Sequence, residues 1–189
     1  MTLLPAPAAL PLVADRLRAP GVTGRPAIVL LDGRSGSGKS TFGRRLLDRV
    51  PDAALLRLDD VYPGWDGLEQ GSAQVLRSVL EPLSAGAAAS WRRHDWVTGL
   101  PAERVAVDPG RPLVIEGAGA LSRANRRLAT FAAWIELDAP ARYERAMARD
   151  GETYAPHWER WAAQEEDFAA REHPARLADI RIDGRTMSE

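Results

Sequence analysis

The sequence predicts an α/β fold: a parallel sheet of about five strands, helices on both faces, and a small inserted hairpin or loop. Three observations predict it. Short apolar runs recur at 26–32, 53–58, 113–117, 132–137 and 177–182, and each reads as a strand buried on both faces. Longer stretches with apolar residues at helical spacing lie between them. The first run leads straight into Gly33-Arg34-Ser35-Gly36-Ser37-Gly38-Lys39-Ser40-Thr41, and a helical pattern follows with Phe42, Leu46, Leu47 and Val50 on one side.

That glycine-rich stretch fits Gly-x-x-x-x-Gly-Lys-Ser/Thr, the phosphate-binding P-loop, in the strand–turn–helix setting the motif requires. The fold is therefore the three-layer α/β/α arrangement of P-loop nucleotide-binding proteins. Gly33, Gly36 and Gly38 let the backbone crowd a phosphate. Ser35 and Ser37 are small and leave the cradle open. The amides up to Thr41 form an anion nest at the positive end of a helix. Lys39 reaches the β- and γ-phosphates, and Ser40 is a ligand for Mg²⁺. The bound nucleotide is expected to be ATP.

The whole chain sets the outer bounds. Its 189 residues suit one domain with a good core. Hydrophobic residues make up 45% and charged ones 27%, as in ordinary globular proteins. A net charge of -1 provides no field for nucleic acid or anionic membrane, and neither is expected as a partner. The lack of cysteine removes disulfides, thiolate catalysis and zinc–thiolate sites. No apolar run is long enough to span a membrane. Pro5, Pro7 and Pro11 interrupt an N-terminus without a basic leader, so a cytoplasmic setting is expected.

In chain order, residues 1–25 read as a helical extension with Leu10, Leu12, Val13 and Leu17 facing inward, broken by Pro20-Gly21 and Gly24. The run 53–58 ends in Asp59-Asp60-Val61-Tyr62. Ligands of open parallel sheets bind at the carboxyl ends of strands, so these acids stand where a site belongs. A turn-rich loop with Trp65 follows, then a helix over 72–83 carrying Val75, Leu76, Val79, Leu80 and Leu83.

Residues 84–111 form the insert, a hairpin or loop holding Trp91-Arg92-Arg93-His94-Asp95-Trp96. This cluster reads either as a binding wall or as a solvated basic edge over packed tryptophans. The run 113–117 ends in Glu116-Gly117, the setting of the Mg²⁺-side acid in a P-loop enzyme. A short helix over 122–130 comes next. The lid region, 141–157, begins with a helix to Asp150 whose Arg142, Arg145 and Arg149 share a face. Such a face can meet phosphoryl oxygens or simply be solvated. A further helix runs over 157–171 with Trp158, Trp161 and Phe168, and the tail 185–189 reads as frayed. His157 and His173 read as structural or surface residues.

From about Ile28 to Gly184 the chain resembles the uridine kinase family and its relatives among P-loop small-molecule kinases. Asp59-Asp60-Val61-Tyr62 is similar to the family's Asp-Ser-Phe-Tyr, His94-Asp95-Trp96 to its Tyr-Asp-Phe, Glu116-Gly117 to its Glu-Gly, and Arg149-Asp150 to its lid Arg-Asp. The resemblance implies that Asp59 takes the proton of the attacking hydroxyl and that Glu116 lies near Mg²⁺. It further implies that Tyr62 lies near a nucleoside, that Asp95 holds ribose hydroxyls, and that His94 and Trp96 flank the base. This sequence departs from the family at His94, in a lid poor in arginine after Asp150, and in the loop Pro63-Gly64-Trp65-Asp66.

The implied activity is transfer of the γ-phosphoryl of ATP to a hydroxyl of a small acceptor, a nucleoside first of all. Asp59, Lys39 and Arg149 are the catalytic candidates. The acceptor pocket is drawn from Tyr62, Trp65, Arg93, His94, Asp95, Trp96 and Arg145. Two alternatives stand beside it. One is a kinase for a nucleoside monophosphate or vitamin precursor, with Arg92-Arg93 clamping a phosphate. The other is a regulatory nucleotide-binding ATPase.

Overall fold

The computed structural model describes residues 2–21 and 25–187; Gly24 and the end of the predicted frayed tail lie outside them. Among the described residues eight strands form: β1 (Leu3–Pro5), β2 (Ile28–Gly33), β3 (Ala54–Arg57), β4 (Ala89–Asp95), β5 (Leu100–Val107), β6 (Leu113–Glu116), β7 (Phe131–Glu136) and β8 (Ile180–Asp183). Six of them make one sheet in the order β1-β8-β7-β2-β6-β3, with every neighbouring pair parallel. The sixth strand is β1, which the sequence reading absorbed into the N-terminal extension. It is three residues long and ends in proline, and an edge strand tolerates proline because one row of its backbone groups needs no sheet partner.

The sheet is buried on both sides because its strands alternate between two cores. Ile28, Leu30, Leu113, Ile115, Ala132 and Trp134 pack in one. Val29, Leu31, Val114, Phe131, Ala133 and Ile135 pack in the other. Successive residues of a strand point to opposite faces, so a continuous apolar run is what a sandwiched sheet needs. The second core is covered by α1 (Ala6–Arg18) and α2 (Lys39–Arg49). In α1 the inward face is Leu10, Val13, Ala14 and Leu17, while Leu12 is 49% exposed. The predicted inward Leu12 is therefore corrected: helical rotation carries it off the 10-13-17 stripe.

The first core is covered by α3 (Leu68–Val75), a wider turn at Leu76–Leu80, and α4 (Glu81–Ser84). The helix thus begins four residues before the expected Ser72, on the turn that ends at Gly67. After it, β4 and β5 pair antiparallel as a separate hairpin with an irregular register between Arg92 and His94. This is the hairpin form of the predicted insert. Trp91 faces the core from it.

Ser122 caps α5 (Arg123–Leu128) by accepting from the Asn125 N–H at 3.1 Å. Asp138 caps α6 (Ala139–Tyr154) through the Ala141 N–H at 3.1 Å, with Pro140 in the first turn. The predicted break after Asp150 is instead a kink at Gly151 (φ 49, ψ -129), after which the chain stays helical to Tyr154. A short 3₁₀ turn at Ala155–His157 joins it to α7 (Trp158–Glu172), and α8 (Pro174–Leu177) precedes β8. The tail is not frayed before Met187. Gly184–Thr186 form a turn, Thr186 Oγ1 accepts from the Ala6 N–H at 2.7 Å, and Met187 is buried.

Candidate active site

The sheet order sets Gly33, Glu116 and Asp59 side by side. They lie at or just beyond the carboxyl ends of β2, β6 and β3, which are adjacent strands. The phosphate loop turns at Gly36 (φ 79) and Gly38 (φ 104), a region that favours glycine. A Cβ at Gly36 would also lie 2.1 Å from the Arg142 carbonyl oxygen, so no side chain fits there. The loop closes on itself through the Ser37 N–H and the Lys39 ammonium, both donating to the Arg34 carbonyl at 3.0 and 3.2 Å.

Buried charges brace the loop from outside. Glu165 of α7 accepts from the Ser35 N–H at 2.7 Å and from Trp161 Nε1 at 3.1 Å. It also faces Arg34 at 3.5 Å and Arg142 at 3.7 Å. Arg142 donates onward to the Ser35 and Leu137 carbonyls, both at 3.2 Å. Of the three-arginine face, Arg142 is thus a brace. Asp32 accepts from the N–H groups of Gly33, Leu121 and Gly119 at 2.6, 2.8 and 3.2 Å. Burial pushes its carboxyl up to about 7, against the pull of those donors and of Lys39. It ties the phosphate loop to the loop after β6.

At the first turn of α2, the Ser40 hydroxyl donates to Glu116 Oε1 at 3.1 Å. Glu116 is 2% exposed. Burial and the nearby Asp59 charge push its carboxyl up, opposed by Lys39, Arg57 and the Ser40 bond. Among the described residues no three His, Asp or Glu side chains group to hold a metal unaided. A hydroxyl and one carboxylate beside a phosphate cradle do fit Mg²⁺, which takes few protein oxygens and draws the rest from nucleotide phosphates and water.

A second cleft of about 180 Å³ opens beside this one, lined by Ser35, Asp59, Tyr62, Trp65, Trp96, Arg149, Asp150, Tyr154 and Trp161. Asp59 reaches it from the 3₁₀ turn Leu58–Asp60 that follows β3. Trp96 Nε1 donates to the Asp59 carbonyl at 2.7 Å and so fastens the hairpin to that turn. Trp65 stacks on His157 (ring centroids 4.2 Å) and on Tyr154 (5.4 Å). Tyr62 gives the cleft its ring only, since its buried hydroxyl donates to the Ala118 carbonyl at 2.6 Å.

The remaining acceptor candidates lie elsewhere. Arg93 is bound by Glu103 across the hairpin at 2.7 and 3.0 Å. His94 is buried behind Trp96, edge to face at 5.2 Å. The Asp95 carboxylate accepts from the Val97 and Thr98 N–H groups at 2.9 and 3.4 Å, and these bonds hold it below the usual carboxylate range. Arg145 donates to the Gly184 carbonyl at 2.9 Å and lines a different cleft, with Gly36, Gly38, Thr41 and Arg149. Arg149 therefore borders both clefts. It chelates the Asp150 carboxylate at 2.5 to 3.0 Å.

Sequence reasoning missed Tyr154, Trp161 and Glu165 as parts of the site. A trace existed for the aromatics: Tyr154, Trp158 and Trp161 fall at helical intervals, the spacing of one shared face. Nothing local marked Glu165 among its acidic neighbours.

The fold that carries this geometry is shared with solved structures. The structure of a possible uridine kinase from Bacillus stearothermophilus matches with a TM-score of 0.66 and 18% identity, over 94% of this chain and 98% of that one. A candidate fructose transport system kinase from a Silicibacter species matches with a TM-score of 0.60, also at 18% identity, over 97% of this chain and 98% of that one. No protein-family model matches the sequence. No described helix is long and apolar enough to cross a membrane.

Proposed function

We propose that the protein transfers the γ-phosphoryl group of ATP to a hydroxyl of a small, uncharged acceptor bearing a flat ring, with a nucleoside the best fit. The observation that carries this reading is the meeting of two clefts at Arg149, one against the glycines of the phosphate loop and the other walled by Asp59 and aromatic rings. Phosphoryl transfer asks for that layout: donor and acceptor in line, with positive charge between them. The two solved structures that share the fold, a possible uridine kinase and a candidate fructose transport system kinase, lend the same reading support.

In this mechanism the amides from Gly36 to Thr41 and the Lys39 ammonium hold the phosphates. Ser40 and Glu116 would hold Mg²⁺, which neutralises charge on the β- and γ-phosphates when bound. Asp59 accepts the acceptor's hydroxyl proton. The hydroxyl oxygen bonds to the γ-phosphorus as the bond to the β,γ-bridging oxygen breaks, and ADP leaves with that electron pair. Arg149 balances charge on the transferring group once it exchanges Asp150 for phosphoryl oxygens.

The lining charges favour an uncharged acceptor. They are Asp59, Asp150 and Arg149, and Arg149 is already paired. Arg92, the other half of the phosphate clamp considered for a monophosphate acceptor, donates to the Ala102 carbonyl at 2.7 Å, as Arg93 does to Glu103. A cytoplasmic setting, rich in ATP, suits this activity. The test is ATP-dependent phosphorylation of a panel of nucleosides, nucleoside monophosphates and small polyols, with Asp59→Asn as control. Transfer should fall about a thousandfold in that variant with ATP binding unchanged. Turnover of the monophosphates alone, or full activity in Asp59→Asn, overturns the reading.

A further inference from the structure

Between the two halves of the site stands an arginine that the mechanism above does not use. Arg57 closes β3, and its Cα is the ladder partner of Glu116 on β6. Cross-strand partners share a face, so register alone aims this side chain at that carboxylate. Arg57 Nε donates to Glu116 Oε1 at 3.3 Å, and its terminal nitrogen donates to Asp59 Oδ2, also at 3.3 Å. One guanidinium therefore spans the metal-side and the acceptor-side carboxylates. Its planar fork of donors suits two such oxygens, as a lysine's single ammonium does not.

The oxygen it touches on Glu116 is the one that also accepts from Ser40. That is the edge of the carboxylate turned toward the metal position. A buried carboxylate needs a counter-charge, and Arg57 is one supply of it that a dication can replace. Asp59 also feels Arg149 across the cleft, but the guanidinium bonded to its carboxylate is that of Arg57. When Glu116 takes a metal ion, Arg57 keeps Asp59.

We propose that Arg57 is a positioning residue that neutralises Glu116 until Mg²⁺ and nucleotide arrive, and then stays on Asp59 to hold that carboxylate toward the acceptor. Loading of the donor side would thus set the geometry of the acceptor side through one side chain. The inference rests on the phosphotransfer reading, and its main measurement is chosen to stand apart from it.

That measurement is calorimetric: Mg²⁺ is titrated at fixed ATP, without acceptor, into wild-type protein, Arg57→Gln and Arg57→Lys. Arg57→Gln should lower the Mg²⁺ midpoint about threefold, the effect of losing one half-exposed competing cation. Arg57→Lys should keep the midpoint near wild type, because charge remains. In turnover assays both variants should lose about tenfold in kcat at unchanged KM for ATP, because neither holds Asp59 with a fork. A purely structural role would move midpoint and kcat together in both variants. An unshifted or raised midpoint in Arg57→Gln, or undiminished kcat, overturns the assignment. If wild-type protein shows no Mg²⁺-dependent ATP binding at all, the phosphotransfer reading itself falls.

Discussion

The phosphate loop and the aromatic cleft adjoin each other but are made differently. The loop is one contiguous segment that offers backbone amides beside the Lys39 and Ser40 side chains, and its shape follows from glycines at fixed intervals. The cleft is assembled from five pieces: Ser35 of the loop itself, the turn after β3, the loop with Trp65, the tip of the β4–β5 hairpin, and the α6–α7 junction. A backbone site tolerates change around it and fails when its own few residues change. A side-chain site shifts with each piece that supplies it.

Four experiments sharpen or break that contrast. The largest effect belongs to Lys39→Ala. It removes the cation on the β- and γ-phosphates and should cut transfer about a thousandfold for every acceptor alike. An acceptor-dependent loss in kcat would mean that the two halves are not separable. Next comes Glu165→Ala, which unpairs the Ser35 N–H and leaves Arg34 and Arg142 without their buried partner. Denaturant unfolding should register a loss of about 3 kcal/mol. Because Glu165 also holds Trp161, this variant should weaken binding on both sides, and damage confined to one side would break the picture of a shared brace.

Trp65→Ala should act on the cleft alone. Its acceptor KM should rise about tenfold, the scale of one lost stacking platform, with ATP affinity unmoved. The last test is the effect of Asp32 on the pH dependence of stability. Its folded carboxyl titrates at about 7 against an ordinary 3.8, so the native state holds this proton more tightly than the unfolded chain does. The contribution is therefore fully present below the unfolded value and is lost as pH rises toward 7. Asp32→Asn should flatten that segment of the stability–pH curve in denaturant titrations at pH 5 and 8. An unchanged difference between the two pH values would show that Asp32 is ionised throughout.

The same contrast explains what the sequence disclosed. Lys39, Ser40 and Glu116 were legible because local pattern suffices: an apolar run, a glycine rhythm, an acid at a strand end. Sheet order then brings Ser40 and Glu116 into contact without further information. Asp95 and His94 looked equally qualified, yet the hairpin's turn takes the carboxylate of Asp95 and its packing hides His94. The Asp95 bonds are a local turn, whereas the burial of His94 depends on how the hairpin seats on its neighbours, which adjacent residues do not encode. Tyr154 and Trp161 came from the far end of the chain, beyond any local window. The strand β1 escaped notice because three residues carry no period, and the extra half-turns of α3 because Gly67 is as fair a helix entry as Ser72.

Trp65 sits between the loop after β3 and the α6–α7 junction. Its loop is held to α7 by Gln164 Nε2, which donates to the Trp65 carbonyl at 2.7 Å, and by an Asp66–Arg160 ion pair. Its indole stacks on the first ring past the Gly151 kink, Tyr154, and on His157. Any swing of α6 about that kink must slide or part these rings. Indole emission responds to the polarity and closeness of what lies against its face. If α6 swings when nucleotide binds, stopped-flow indole fluorescence should report it without a label, and Trp65→Phe should diminish the signal.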